Sequence, residues 1–291
     1  MSSIAEIQHH IKVIDDTAKI TRAMYLISSG KMKKAMRSHD QTMQYYHRVR
    51  SNMRFILDNS PEGFKSVFYR DHGQRAAYLV IAGDKGMCGG YNQDVLKRGL
   101  KIVLDNEHTT IRVITFGRMA AQYFRRHGAP IDASYLTAVQ NPTLDTAREV
   151  SAALCDQYRN HLFDEVFIVF TQLLKGGTTK PTVLHLLPIT KQAAQDAAIM
   201  HTPTAGLTFE PDAAQALDSM AQHYVTGMLY SALVQSFASE NRARMIAMES
   251  ATRNAEEMLG KLKLRLNHAR QAAITQEINE MIGGNPGSFI V

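Results

Sequence analysis

Tryptophan is absent from this chain, and cysteine occurs only at Cys88 and Cys155. Two isolated cysteines make neither a disulfide framework nor a metal-ligand pair, and they suit a reducing compartment. No run approaches the roughly 18 apolar residues that a membrane-crossing helix needs, so direct membrane insertion is not expected. Residues 1–14 alternate polar and apolar side chains at helical spacing and lack the continuous apolar core of a signal peptide. Histidine is not scarce, at 12. However, the adjacent pair His9 and His10 would diverge on a helix, and no H-x-x-x-H or C-x-x-C spacing occurs. No G-x-S-x-G context for a nucleophilic serine is present either. No catalytic residue, cofactor site or metal site is identified.

Proline is missing from one long stretch, between Pro211 and Pro286. Within it Leu217, Met220, Tyr224, Ser231, Val234, Ala238, Met245, Met248, Thr252, Ala255, Leu259, Leu262, Leu266, Ala269 and Ala273 fall on alternating steps of three and four. That is the a/d seam of a heptad, along which helices supercoil. At 1.5 Å per residue such a helix is roughly 100 Å long, more than a domain of this size can contain. After Ala273 the apolar positions shift to Ile274, Ile278, Met281 and Ile282, so the seam ends there and the tip is expected to outrun its partner. An unpaired apolar tip marks a binding surface.

Residues 3–57 carry a second heptad seam: Ile4, Ile7, Ile11, Ile14, Ala18, Thr21, Tyr25, Ser28, Met32, Ala35, then Thr42, Tyr46, Val49, Met53 and Ile56. Its middle is small and polar, and Gly30 lies mid-helix at a cost of about 1 kcal/mol relative to alanine. Acids are missing from residues 17–39, where Lys19, Arg22, Lys31, Lys33, Lys34 and Arg37 are found. A solvated face and a docking strip for an acidic surface are the two readings. The whole chain carries a net charge of +6. Asn59, Ser60, Pro61, Glu62 and Gly63 then break the helix.

The middle alternates strands and helices: strand 76–82, helix 93–104, strand 110–116, helix 118–127, helix 143–161, strand 165–172 and strand 182–188. This order predicts a mostly parallel sheet with helices on its faces, the last two strands forming an edge hairpin. Gly83-Asp84-Lys85-Gly86-Met87-Cys88-Gly89-Gly90 follows the first strand. The place is that of a phosphate-binding loop, but the spacing is neither G-x-G-x-x-G nor G-x-x-x-x-G-K-[ST]. A tight turn built on glycine suits it better. Residues 191–206 are polar and Ala-rich and read as a loop or weak helix. The predicted fold class is α/β: an antiparallel coiled coil of long N- and C-terminal helices with an inserted, mostly parallel, Rossmann-like α/β domain. The segments are 1–60, 61–206, 207–283 and a tail at 284–291.

Three motifs carry a family resemblance. Ile20-Thr21-Arg22-Ala23-Met24 with Ser29-Gly30-Lys31-Met32 looks like the N-terminal signature of the gamma subunit of F-type ATP synthase. Asp84 to Asn92 resembles that family's central loop. Ala238-Ser239-Glu240, Arg244-Met245, Ala251-Thr252, Asn254-Ala255, Asn267 and Ala269-Arg270-Gln271-Ala272 with Ile274-Thr275-Gln276-Glu277-Ile278 resemble its C-terminal run. The resemblance implies a non-catalytic central shaft turning inside a hexamer of alpha and beta subunits. Its foot would lie by the epsilon subunit and the c-subunit ring, on the cytoplasmic face of a bacterial plasma membrane. It also implies contacts for Lys19, Arg22, Met24 and Lys31 near the acidic lever of beta, and for Arg270, Gln271 and Thr275 at the hexamer's catch loops. Glu210 and Asp212 would lie at the foot, and Glu240 and Arg242 on the shaft near lever and foot. No cofactor and no nucleic acid are implied. A static coiled-coil scaffold and a basic nucleic-acid-binding protein are the alternatives, the latter weakened by the lack of aromatic residues interleaved with basic ones.

Overall fold

The structure is a computed structural model that describes residues 4–58, 66–69, 73–105, 108–174, 176–189 and 212–283. The breaker cluster at 59–63, the segment 191–206 and the tail 284–291 lie outside the described residues. The elements are α1 (Ile4–Asp58), a short 3-10 turn (Val67–Tyr69), β1 (Arg75–Ile81), α2 (Tyr91–Leu104), β2 (Thr110–Phe116) and α3 (Arg118–Arg126). They continue with β3 (Ile131–Tyr135), α4 (Leu144–Arg159), β4 (Glu165–Leu173), β5 (Thr179–Leu187) and α5 (Ala213–Gly283).

Helix starts follow local chemistry. Asp212 caps α5, its Oδ1 accepting from the Gln215 N–H at 2.8 Å, and Thr143 caps α4, its hydroxyl accepting from the Thr146 N–H at 3.2 Å. Such caps satisfy donors that the first turn leaves unpaired and contribute about 1 kcal/mol each. The 71 residues of α5 run on without interruption because no proline intervenes.

Five strands form one sheet in the order β3-β2-β1-β4-β5. The first four are parallel, and β5 pairs with β4 in antiparallel fashion, as the short 174–178 connection requires. Alternation along β1 divides the core. Ala77, Leu79 and Ile81 face a cluster with α4 and the 28–243 parts of α1 and α5. Ala76, Tyr78 and Val80 face a second cluster with α2 and α3. The sheet is thus covered on both faces, as parallel strands demand. Strand β3 was not expected: the Asp-Ala-Ser core of Ile-Asp-Ala-Ser-Tyr carries little strand signal, and the strand forms by backbone pairing with β2 at the sheet edge.

Contacts divide the chain into two compact units, residues 1–27 with 244–291 and residues 28–243. The division falls within both long helices. The segments expected from sequence end at the ends of elements, because sequence signals mark breakers rather than contacts.

In the first unit, α1 and α5 are antiparallel: Thr21 meets Thr252, Arg22 meets Glu256, and Asp15 feels the charge of Lys263. The covered positions of α5 here include Met245, Met248, Thr252, Ala255, Leu259, Leu262, Leu266, Ala269 and Ala273, the a/d positions of the sequence pattern. In the second unit the same two helices meet through Ser38 and Tyr230 (3.1 Å), His39 and Ser231 (2.9 Å), and Tyr46 against Gly227.

Candidate functional site

The basic strip on α1 is not uniform. Lys19 Nζ lies 2.7 Å from Asp15 Oδ2 and 3.5 Å from Asp16 Oδ1. The hydrogen bond to Asp15 raises the Lys19 pKa and lowers that of Asp15. Lys19 is exposed and Asp15 about half exposed, so the pair adds little to stability. Arg22 Nη2 lies 3.1 Å from Glu256 Oε1. The acids that balance these two cations are thus supplied by the preceding turn and by α5, which a strip read on α1 from 17 to 39 does not include. Met24 is half-buried beside the seam.

Lys31, Lys33, Lys34 and Arg37 differ. All four are exposed, and no ion pair joins them to another described residue. Lys31 and Lys34 line a cleft of about 360 Å³ with Ser38, Asn141, Tyr230 and Phe237. Its lining combines cationic, hydroxyl and amide groups with two aromatic rings. It can receive an acidic segment, whose carboxylates would find cations not already neutralised.

The far end of α5 is the second predicted site. Every residue from Ile274 to Met281 is exposed, and Ile274, Ile278 and Met281 are 55%, 50% and 78% accessible. The side chain of Ile282 lies outside the described set. Arg270 and Gln271 are exposed, and Thr275 donates its hydroxyl to the Gln271 carbonyl at 2.8 Å. Arg270, Gln271 and Thr275 thus share one stretch of helix with exposed apolar residues close by.

Four predicted residues are placed elsewhere. Glu210 lies outside the described residues. Asp212 is exposed and serves as the α5 cap. Glu240 is buried, 7% accessible, with its carboxyl group against Gly83. Arg242 is half-buried against Gly177, in the β4–β5 turn. A sequence motif marks Glu240 and Arg242 as notable but carries no information about burial.

The glycine-rich loop is a turn closed on itself. Asn92 Oδ1 accepts from the Gly83 N–H at 2.8 Å, and Asn92 Nδ2 donates to the Lys85 carbonyl at 3.2 Å. Asp84 Oδ1 accepts from the Arg118 N–H at 2.8 Å, capping α3. Asp84 Oδ2 accepts from the Gln140 side-chain amide, so the loop's side-chain acceptors are spent within the protein. Asn92 is the residue here that sequence reasoning missed as a structural element, although it was quoted within the motif.

One polar cluster was not foreseen. His108 Nε2 and His185 Nε2 lie 3.4 Å and 3.6 Å from Glu165 Oε2, beside the stacked pair of Tyr78 and Phe167. His108 and His185 lie 57 and 20 residues from Glu165 in sequence, and His185 reaches it through the pairing of β4 with β5. Among the described residues no group of three histidine, cysteine or acidic side chains is placed to hold a metal ion.

Comparison with known proteins gives concordant results. The family model described as ATP synthase matches residues 3–286. The ATP synthase gamma chain of Ruminiclostridium cellulolyticum is 38% identical over 288 residues, covering 97% of this chain and 98% of the relative. The ATP synthase gamma chain of Caldanaerobacter subterraneus is 37% identical, with 96% and 98% covered. Among solved structures, the rotor of the Euglena gracilis mitochondrial ATP synthase superposes with a TM-score of 0.61 at 15% identity, covering 93% of this chain and 98% of that one. The central stalk and c-ring structure from Tetrahymena thermophila gives 0.57 at 20% identity, with 80% and 99% covered. At such identities the structural likeness concerns the fold.

Proposed function

The chain belongs to the ATP synthase gamma-chain family, and on that premise we propose that it is the central rotor shaft of an ATP synthase. Its paired helices turn within the alpha and beta subunits, and its α/β domain meets the epsilon subunit and the c-subunit ring. Ion flow through the ring drives the shaft, and the shaft drives the catalytic beta subunits in turn. The chain itself is non-catalytic. None of its described helices is long and apolar enough to cross a membrane, so it joins a membrane-associated complex peripherally, on the cytoplasmic face of a bacterial plasma membrane.

The observation that carries this reading, beside family membership, is the end of α5. Its seam is covered by α1 up to Ala273, and beyond it Ile274, Ile278 and Met281 are exposed. A static two-helix scaffold has no use for an apolar end of this kind, whereas a shaft that turns inside a sleeve does. Arg270, Gln271 and Thr275 contact the hexamer there. Lys31, with Lys33, Lys34 and Arg37, meets an acidic surface of a beta subunit; Lys19, Arg22 and Met24 lie near the same lever. Glu210 and Asp212 belong to the foot.

Co-purification tests the proposal. The tagged full-length chain, extracted from membranes in mild detergent, is expected to bring alpha, beta, epsilon and c subunits with it. Recovery as a lone homodimer, or with RNA, would refute it. Within that complex, Arg270→Ala and Gln271→Ala are expected to reduce torque-coupled ATPase more than assembly.

A further inference from the structure

We propose that the turn of α5 at residues 236–242 is a register lock, in which Glu240, seated on Gly83, positions the long helix on the α/β domain so that torque on one is carried by the other. This rests on the rotor reading above.

Upstream of this turn α5 meets the domain mainly through apolar side chains such as Leu217, Ala221, Val225, Leu229 and Leu233, with single hydroxyl contacts between Thr226 and Ser151 (2.6 Å) and between Asp218 and Ser66. Apolar attraction is non-directional, and a helix held by it alone resists axial rotation only by the shape of its side chains. At residues 236–242 the buried surface changes character. Ser236, Ser239, Glu240 and Asn241 are 2%, 0%, 7% and 2% accessible. Buried polar groups tolerate only arrangements that satisfy them, which makes them specify one register.

Three separate parts of the domain converge on this turn. Strand β4 contributes Thr171, whose N–H donates to Ser236 Oγ at 3.4 Å and whose carbonyl accepts from the Ser239 hydroxyl at 3.1 Å. The loop after β1 contributes Gly83, where an added Cβ would lie 2.9 Å from Glu240 Cδ and 3.0 Å from its Oε2. The β4–β5 turn contributes Gly177 (φ 82°), where a Cβ would lie 2.5 Å from Arg242 Cζ. The seat is rigid, since Asn92 holds both Gly83 and Lys85. Beside it the buried Tyr91 phenol is pushed up, first by desolvation and then by the charge of Glu240. A step of one residue along α5 rotates a side chain by about 100°, which would carry the Glu240 carboxylate off its seat at Gly83. The bare glycines at 83 and 177 are what let the two turns approach Glu240 and Arg242 this closely. The glycine motif in the sequence is thereby read as a receptor for the shaft.

The test uses the whole complex in inverted membrane vesicles and reads ions pumped per ATP hydrolysed. Glu240→Ala and Gly83→Ala are each expected to lower this ratio several-fold while hydrolysis continues. Gly83→Ala combined with Glu240→Ala should be less impaired than the two single effects combined, because the new methyl enters the space the carboxylate leaves and only its 3.0 Å approach to Asn92 Oδ1 remains. Glu240→Gln keeps shape and an acceptor oxygen and is expected to restore most of the ratio. Wild-type ratios in both single variants, an additive double variant, or a Glu240→Gln as poor as Glu240→Ala would each overturn the lock. Should Glu240→Ala not assemble, Gly177→Ala probes the same turn through Arg242, and a wild-type ratio there overturns it too. If vesicles pump equally when this chain is omitted, the rotor reading itself fails, an outcome distinct from all of these.

Discussion

Replacing Gly227 by alanine sets two effects of opposite sign against each other. Glycine inside a helix costs about 1 kcal/mol relative to alanine, so on propensity alone the change stabilises. At Gly227, however, an added Cβ would lie 2.2 Å, 2.4 Å and 2.7 Å from Cδ1, Cγ and Cε1 of Tyr46. That ring is 5% accessible and packs edge-on against Tyr45 at 5.1 Å between centroids. Either the ring leaves its rotamer, towards the cavity it lines with Tyr45, Leu144 and His223, or α1 and α5 separate locally. Overpacking of this kind costs about 1–3 kcal/mol, and an approach more than 1 Å short of van der Waals contact belongs at the upper end. The net expectation is a loss of about 1–2 kcal/mol. For a chain of this size each kcal/mol moves the midpoint by roughly 2–4 °C, so thermal unfolding followed by circular dichroism should fall by about 2–8 °C. Gly30→Ala and Gly260→Ala are the controls, since nothing lies within 4 Å of a Cβ at either position. Each is expected to gain up to about 1 kcal/mol. A Gly227→Ala protein that melts as high as the controls would refute the close packing of Tyr46 on α5.

Other expectations follow from single contacts. Thr21 and Thr252 share a 2.7 Å hydrogen bond across the helix seam, and each also reaches a backbone carbonyl of its own helix. Thr21→Val alone should cost about 1 kcal/mol, and the double Thr→Val variant should recover most of it, because both polar groups leave together; a double-variant cycle in urea checks this. Arg22→Ala should change the unfolding free energy by under about 0.5 kcal/mol, because both partners in its pair with Glu256 are more than half exposed. Reversing Lys31, Lys33, Lys34 and Arg37 to glutamate should weaken complex assembly far more than Lys19→Glu does, as native gels of the complex would reveal. Burial pushes the Cys155 thiol up to about 12 and, aided by Glu165, the Tyr78 phenol up to about 12. Both are acids held neutral in the fold, so their contribution is complete below the unfolded values of 9.0 and 10.0 and is lost as pH rises towards 12. Urea titrations should therefore show stability falling between about pH 9 and 12, and a flat profile there would count against their burial.

The heptad seams were legible because period and burial are the same fact on a helix: a residue at a or d has nowhere to point except at the partner. That is why Met245 to Ala273 could be read from spacing, and why the exposed end beyond Ala273 could be read as well. Strands with strong β propensity, such as β1 and β2, were legible for a similar reason. Strand β3 was not, since its Asp, Ala and Ser carry little strand signal and its pairing is with β2. Charge was the least legible property. Six cations on α1 look alike in sequence, yet two are balanced by acids and four are not. For Arg22 the balancing acid is 234 residues away.

The sequence by itself determined that two long helices pair, that an α/β domain lies between them, and that the chain belongs with the gamma chains of ATP synthases. Periodicity, breakers and motif order are local properties, and local properties suffice for those conclusions. Only the tertiary structure decided which side chains are available to a partner. Glu240 and Arg242 are set against two glycine turns, Lys19 and Arg22 are paired within the chain, and Lys31 to Arg37 stand beside an open cleft. Availability depends on what lies opposite a residue in space, and in this fold that is set by pairings between segments as much as 234 residues apart.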